Sequence, residues 1–466
     1  MQRSATQLRA DALAIWRAGV AGVQSEQLMQ QQVRVEKQWL VLDEFELDLR
    51  TIRRIVVVGA GKAGAGMAAG LEAALGPKLL AEKQVTGWVN VPADCARPLQ
   101  RITLHPARPA GVNEPTAAGV AGSERILQLV SGCGAEDLCL VLLSGGGSAL
   151  LPAPVEGITL EDKLSLTRQL SAAGANIYQL NTVRKQLSRI KGGALARACR
   201  AGRMVSLIIS DVIGDPLDLI ASGPTVPDTS TPQEAWDILQ KFGEKLVAVP
   251  ESVWPVLQTK IAADAHHAPP GKLSNKGYPH VANFILANLA TAVDCAGVEA
   301  ERRGYSYAML AAKILEGDVE NIGRDLAQKA MKMSVLDGPD CLIMGGEGTV
   351  QLVGPSLRGK GGRNQQTVLA AWCELAELCG QGGKNPAVDL VILSGGTDGE
   401  DGPTDAAGAW LDEEVANRAR QLGLDPAAAL ARNDAYPLFE QAGGLLITGP
   451  THTNVCDLRV VVVNQL

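Results

Sequence analysis

The chain has 466 residues, enough for two or three domains. A hydrophobic fraction of 46% supplies full cores, while 51 glycines and 3% aromatics favour an α/β enzyme with many tight strand-to-helix turns over an all-β sandwich. The net charge of −7 excludes the basic surface that a nucleic-acid partner requires, but not a small anion in a local cationic pocket.

In chain order, residues 5–50 read as helical, with Leu8, Leu13, Ile15 and Val20 at helical spacing, and as part of the mature protein rather than a signal peptide. Short apolar runs at 55–58, 85–91, 138–143 and 205–209 read as strands, with helices such as 63–75 and 114–129 between them. That alternation is the signature of a parallel sheet covered on both faces. Residues 225–265 read as polar helix and 266–280, rich in Pro, Gly and Lys, as a linker. A second α/β series follows, with strands at 281–287, 305–310, 341–344, 388–393, 445–447 and 460–463. The expected domains are therefore 1–275 and 276–466. No apolar stretch approaches the roughly 20 residues of a membrane span, so no membrane partner is expected. The nine cysteines, with no C-x-x-C pair, read as reduced core thiols of a cytoplasmic protein.

Six segments carry candidate chemistry. In VVVGAGKAGAGMAAG (56–70), Gly59, Gly61 and Gly64 fit G-x-G-x-x-G between a strand and a helix. The next strand ends in Val89-Asn90-Val91-Pro92, without the acid that a dinucleotide ribose needs. Lys62 instead makes the loop an anion cradle for a phosphate or a carboxylate, or else a tight packing turn with an exposed lysine. In VLLSGGGSALLPAP (141–154), Gly145, Gly146 and Gly147 allow close backbone approach to a ligand, and Ser144 and Ser148 offer donors. In LNTVRKQLSRIKGG (180–193), a continuous helix would place Asn181, Arg184, Ser188 and Lys191 on one face, as an anion site or as a solvated charged face. SLIISDVIGDPLDLIASGPT (206–225) runs from a strand into Asp211, at a position for Mg²⁺ or a hydroxyl base, or for a helix cap. RGKGGRNQQTVLAAW (358–372) places Arg363 at a helix start, where it opposes the dipole unless an anion is present, which implies a phosphate. LSGGTDGEDGPTDAAGAW (393–410) crowds Asp398, Glu400, Asp401 and Asp405 into one loop that lacks the EF-hand arrangement; it reads as a Mg²⁺ site or a surface turn.

Taken together and in order, GAGKAG, SGGGSALLPAP, LNTVRKQLSRIKGG, SDVIGDPLDLIASGPT, GGRNQ, SGGTDGEDGPTDAAGA and TNV resemble the glycerate 2-kinase family, whose carboxyl-terminal part is the MOFRL domain. The resemblance implies two three-layer α/β/α domains, an N-terminal Rossmann-like parallel sheet and a C-terminal mixed sheet, with a cleft between. It implies transfer of the γ-phosphate of ATP, with Mg²⁺, to the 2-hydroxyl of D-glycerate. It makes Lys62 and Arg363 catalytic. The segments themselves add Asp211 to the expected catalytic residues and put substrate or nucleotide at Gly59, Gly61, Ser144, Gly145, Gly146, Gly147, Ser148, Asn181, Arg184, Lys191, Gly346, Glu347, Gly362, Asn364, Thr397 and Asn454, with Asp211 or Asp398 expected to hold the metal. A homodimer is left open. The chain departs from the family pattern at Gln366, at His452 and in ARPAGVNEP (107–115). The rival readings are an NAD(P)-dependent hydroxypyruvate reductase and a non-catalytic metabolite sensor.

Overall fold

A computed structural model describes residues 2–43, 45–112, 114–266, 277–380 and 387–465. Ser25–Leu286 form one compact unit, and residues up to Gln24 together with those from Ala287 onward form another. The expected linker falls mostly on 267–276, and the expected boundary at 275/276 lies there too, outside the described residues.

The Ser25–Leu286 unit opens with a helix, Ser25–Gln32, and an antiparallel meander of β1 (Val33–Glu36), β2 (Trp39–Leu42) and β3 (Phe45–Asp48). This corrects the helical expectation for residues 5–50. Short β-favouring runs are broken where Lys37 and Asp43 take positive φ, which a helix does not permit. Six strands then form a sheet: β4 (Arg54–Ala60), β5 (Thr86–Pro92), β6 (Ile102–Arg108), β7 (Asp137–Leu143), β8 (Arg203–Ile209) and β9 (Val281–Ala287), in the order β6-β5-β4-β7-β8-β9. The pairings from β6 to β8 are parallel. β4 and β7 are apolar and buried almost throughout because both faces are covered. Val56, Val58, Val141 and Leu143 pack on Ile126 and Val130 of the helix Ala117–Ser131. β6 escaped the sequence reading, since His105 and Pro106 interrupt its apolar run. β9, expected to open the second series, is an edge strand of this first sheet; the His280 carbonyl just before it accepts from the Met204 amide at 2.8 Å.

Strand order reverses at β4, which has β5 on one side and β7 on the other. A doubly wound sheet binds ligands outside the carboxyl ends of its strands at such a point. The loops after β4, β7 and β8 are those holding Lys62, Ser144–Ser148 and Asp211.

The other unit is built on β10 (Tyr307–Ala311), β11 (Cys341–Gly346), β12 (Leu390–Gly396), β13 (Gly408–Leu411), β14 (Leu445–Leu446) and β15 (Asp457–Val463), in the order β10-β11-β15-β12-β13-β14. β10 and β11 are parallel and the remaining pairs antiparallel, so the sheet is mixed. β13 is short and glycine-led, which hid it from a periodicity reading. One face packs on Leu326, Val368, Leu369, Trp372 and Phe439. The other is covered by the helix Ala5–Gly22, whose Leu8, Ala12, Ile15 and Trp16 meet Leu458, Val460 and Val462. The expected first domain thus lacks its opening helix, which belongs to the unit of the second.

Candidate active site

In the Ser25–Leu286 unit, the loop after β4 closes on the end of β7. A Cβ on Gly59 would lie 2.2 Å from the Leu142 carbonyl oxygen, and one on Gly61 1.9 Å from Ser144 Oγ. These two glycines are therefore required by protein packing. Ser144 Oγ accepts from the Ala63 amide at 3.0 Å, and the Lys62 amide donates to the Gly145 carbonyl at 2.8 Å. Gly146, at φ 75°, starts the short helix Gly147–Leu150 in a conformation that favours glycine. A Cβ there would stand 3.1 Å from Arg108 Nη2 and 3.7 Å from Lys62 Cγ.

A cavity of about 670 Å³ opens beside this turn, with Ser144, Gly146, Gly147, Ser148, Arg184, Lys191 and Asp211 in its wall. Of the sequence-derived residues in this unit, Lys62, Gly59, Gly61, Gly145 and Asn181 are not part of that lining. The continuous helix expected through 180–193 is not formed. Ile177–Gln186 is helical, then Gly192 and Gly193 turn the chain at φ 56° and 73° into Ala194–Ala198. Arg184 and Lys191 nevertheless converge. Arg184 Nη2 donates to Ser148 Oγ at 2.7 Å, and Lys191 Nζ donates to the same oxygen at 2.8 Å and to the Ser148 carbonyl at 2.7 Å. With two cations on its lone pairs, Ser148 must give its own proton to Ser222 Oγ, 2.9 Å away, and Ser222 passes its proton to Asn181 Oδ1 at 3.2 Å. Asn181 thus backs the site without lining it. Ala221 and Ser222 hold this geometry at φ 50° and 62°, a strained backbone of the kind that clusters at functional sites.

The charges here are held against their preference. Burial, then Arg184 and Lys163, depress the Lys191 ammonium well below its usual range. Burial likewise lowers Arg184. Lys163 also lines the cavity and donates to the Leu187 carbonyl at 2.8 Å; burial and then Arg184 and Lys260 bring it to about 7.

In the other unit, β15 starts where β11 and β12 end: Asp457 pairs with Gly346 on one side and Gly396 on the other. That register brings Asp457, 2% exposed at its side chain, to Arg363 at the start of the helix Arg363–Leu378. Arg363 Nε lies 2.8 Å from Asp457 Oδ2, Nη2 donates to Asp457 Oδ1 at 3.0 Å, and Nη1 donates to Glu347 Oε1 at 2.6 Å. Burial opposes the guanidinium charge, but Asp457 and Glu347 overcome it and raise its pKa. The anion inferred at this helix start is thus supplied by two protein carboxylates, and a phosphate is not needed to explain the arginine. Asp401 caps the same helix, accepting from the Asn364 amide at 3.0 Å and the Gln365 amide at 2.9 Å. Burial raises it to about 7 despite those amides, with Asp457 adding to the rise. Asn364 Nδ2 reaches Asp457 Oδ1 at 2.9 Å, and Ser394 Oγ donates to Asn364 Oδ1. A Cβ on Gly362 would sit 2.2 Å from Asp401 Cγ, so only glycine lets that carboxyl approach.

Arg363 and Gly362 line a cavity of about 930 Å³ together with Asp398, Glu400, Asp401 and Arg358. Other expected residues serve the protein's own framework. Thr397 Oγ1 donates to the Cys456 carbonyl at 2.7 Å and accepts from the Val455 amide at 2.9 Å. Gly346 makes room for Glu316, which pairs with Arg459 at 2.8 Å. Asn454 Oδ1 accepts from the Cys456 amide at 3.1 Å. His452 is exposed, at φ 58°. Lys163, Ser222 and Asp457 were missed by sequence reasoning. Lys163 and Ser222 lie in ordinary-looking helix and turn sequence, and only the register of β15 reveals Asp457.

A model of a domain of unknown function, DUF4147, matches residues 11–258, and the MOFRL family model matches residues 340–457. A mouse protein named glycerate kinase is 36% identical over 98% of this chain and 93% of its own length. The chain belongs to the glycerate kinase family. The Thermotoga maritima D-glycerate 2-kinase is 36% identical over 87% of this chain and 90% of that protein. The crystal structure of a glycerate kinase from Thermotoga maritima superposes with a TM-score of 0.79 at 32% identity, covering 98% of this chain and all of that one. An Agrobacterium vitis family member, 38% identical over 88% of this chain and 87% of its own length, carries the name putative hydroxypyruvate reductase.

Proposed function

We propose that this protein is a D-glycerate 2-kinase, moving the γ-phosphoryl group of ATP to the 2-hydroxyl of D-glycerate to give 2-phosphoglycerate and ADP. The observation that carries the proposal is the pair Arg184 and Lys191, converging on one serine hydroxyl in a cavity at the sheet's switch point, in a chain similar to glycerate kinases along most of its length. Neither cation has a carboxylate partner among the described residues, so each is available to a substrate carboxylate. Phosphoryl transfer needs positioning and neutralisation of spreading charge rather than covalent help from the protein. In this reading Lys62 supplies positive charge to the transferring group, and Arg363 is held in one orientation by Asp457 and Glu347.

Among the described residues no three His, Cys, Asp or Glu side chains form a metal cage. Mg²⁺ that arrives on a nucleotide needs only one or two carboxylates, which Asp398 or Asp211 fits, each in a cavity wall. Bound there, the ion would supply charge neutralisation at phosphate oxygens. A cytoplasmic setting suits the nucleotide and the cysteines, none of which forms a disulfide. No helix among the described residues is long and apolar enough to cross a membrane.

The reductase reading is not favoured. The dinucleotide ribose acid would stand at the end of β5, where Asn90 is buried, giving Nδ2 to the Leu150 carbonyl at 2.8 Å and accepting from Trp88 Nε1 at 3.2 Å. The test is ³¹P NMR of ATP, Mg²⁺ and D-glycerate with purified protein. A 2-phosphoglycerate resonance that Lys62→Ala abolishes is expected. Silence with D-glycerate, L-glycerate and related hydroxy acids would overturn the proposal.

A further inference from the structure

Four cations line the cavity of the Ser25–Leu286 unit; Arg168 is paired with Glu114, which leaves three where the proposed substrate brings one negative charge. Lys163 comes from the helix Leu160–Ala172, Arg184 from the helix Ile177–Gln186, and Lys191 from the turn that follows it. Their hydrogen-bond acceptors are neutral: the Ser148 and Ser222 hydroxyls and the Ser148 and Leu187 carbonyls. Among the described residues, none of the neighbouring acids pairs with these three cations. Glu114 pairs with Arg168, while Asp218 and Asp228 flank Lys185; Asp211 stands in the same wall.

Three cations brought together without acid partners disfavour one another and cost stability in the empty protein. A ligand with several negative charges offsets that cost. A monocarboxylic hydroxy acid carries one. Its phosphorylated form adds a phosphoryl group of about −1.5 to −2, close to three in all, on a body small enough for the cavity of about 670 Å³.

We propose that Lys163, Arg184 and Lys191 form a product-matched cluster that holds the phosphorylated hydroxy acid more tightly than the unphosphorylated one, with Lys163 as an additional binding residue for the phosphoryl end. The inference deepens the kinase reading and rests on it for the identity of the ligand. Arg184 and Lys191, fixed on Ser148, take the carboxylate. Lys163 has only a carbonyl to satisfy and reaches the cavity from another helix. Release of product is then opposed by a charge that substrate binding does not use.

The experiment is calorimetric titration of the intact protein with D-glycerate and, separately, with 2-phosphoglycerate. It is repeated with Lys163→Gln, which keeps a donor for the Leu187 carbonyl, and with Lys163→Arg, which keeps the charge. One charge-assisted contact is worth roughly tenfold in affinity. Wild type is therefore expected to bind 2-phosphoglycerate at least about tenfold more tightly than D-glycerate. Lys163→Gln should lose most of that ratio through the phosphorylated ligand, and Lys163→Arg should keep it. Equal affinities in wild type, or equal losses for both ligands in Lys163→Gln, would overturn the proposal. So would loss of the ratio in a Lys163→Arg protein that melts like wild type. The NMR assay is read independently: failed phosphoryl transfer with the affinity ratio intact removes the kinase reading and leaves the cluster.

Discussion

At the scale of the residue, the two cationic centres are built in opposite ways. Arg363 is neutralised by Asp457 and Glu347, so its task is orientation, and its partners matter as much as its charge. Arg363→Ala is expected to lower kcat by about 10³-fold, and Arg363→Lys to rescue little of it, because an ammonium cannot meet two carboxylates with a planar fork. Asp457→Asn leaves the Glu347 contact in place and should give an intermediate loss with KM nearly unchanged. Wild-type kcat in Asp457→Asn would show that the bidentate pair is not what orients the arginine. Lys163 is the reverse case, a cation without an acid. Its pKa is lowered from the ordinary 10.5 to about 7, so the fold holds that proton less tightly than the unfolded chain does. The cost is fully present below about pH 7 and fades as pH rises towards 10.5. Lys163→Gln should accordingly raise the Tm of the unliganded protein at pH 7, with the gain shrinking by pH 10. A gain independent of pH would assign the effect to packing instead.

At the scale of the element, the strands β4, β7 and β8 were legible because continuous apolar runs have few other readings, and their glycine-rich ends marked where ligands gather. The meander at β1–β3 was not, since four-residue strands are too short to display a period against a helical background. The helix through Arg184 illustrates a subtler limit. Helical spacing put Arg184 and Lys191 on one face, and they do share a target, but they meet because the chain turns between them. Asp457 was invisible for a different reason: nothing in TNVCDLRV signals that its strand will lie between two others. The turn itself is open to test. Gly193 sits at φ 73°, and a Cβ there would fall 2.3 Å from Tyr278 Oη and 2.7 Å from the Val226 carbonyl oxygen. Gly193→Ala should destabilise the fold by about 1–3 kcal/mol in urea denaturation and weaken D-glycerate binding by displacing Lys191. Unchanged stability would mean that the turn relaxes without strain.

At the scale of the whole molecule, the helix Ala5–Gly22 is a structural part of the carboxyl-terminal unit. It buries Leu8, Ile15 and Trp16 against β15 and its neighbours, and Asp11 is fixed by Arg303 at 2.6 Å and Tyr305 at 2.9 Å. Removing residues 1–24 uncovers the part of that face not shielded by Val293, Ala296 and Ala300 and leaves Arg303 and Tyr305 without their carboxylate. Such a variant is expected to bind a hydrophobic dye and to elute as aggregates in size-exclusion chromatography. A monodisperse, dye-silent truncation would show that the helix is dispensable.

The position of β15 also bears on how the protein is made. It lies in the middle of its sheet, between β11 and β12, yet it is the latest of the six strands in the chain. On the ribosome, β11 and β12 emerge with the gap between them unfilled, and the helix Ala5–Gly22, which can meet Val293, Ala296 and Ala300 earlier, lacks its contacts with Leu458, Val460 and Val462 until Asp457–Val463 clears the exit tunnel. The Ser25–Leu286 unit has no such dependence and is free to fold during synthesis. The carboxyl-terminal half must instead close in a late step that joins segments distant in sequence, which makes it the slow and aggregation-exposed part of biogenesis and the one for which a chaperone matters most.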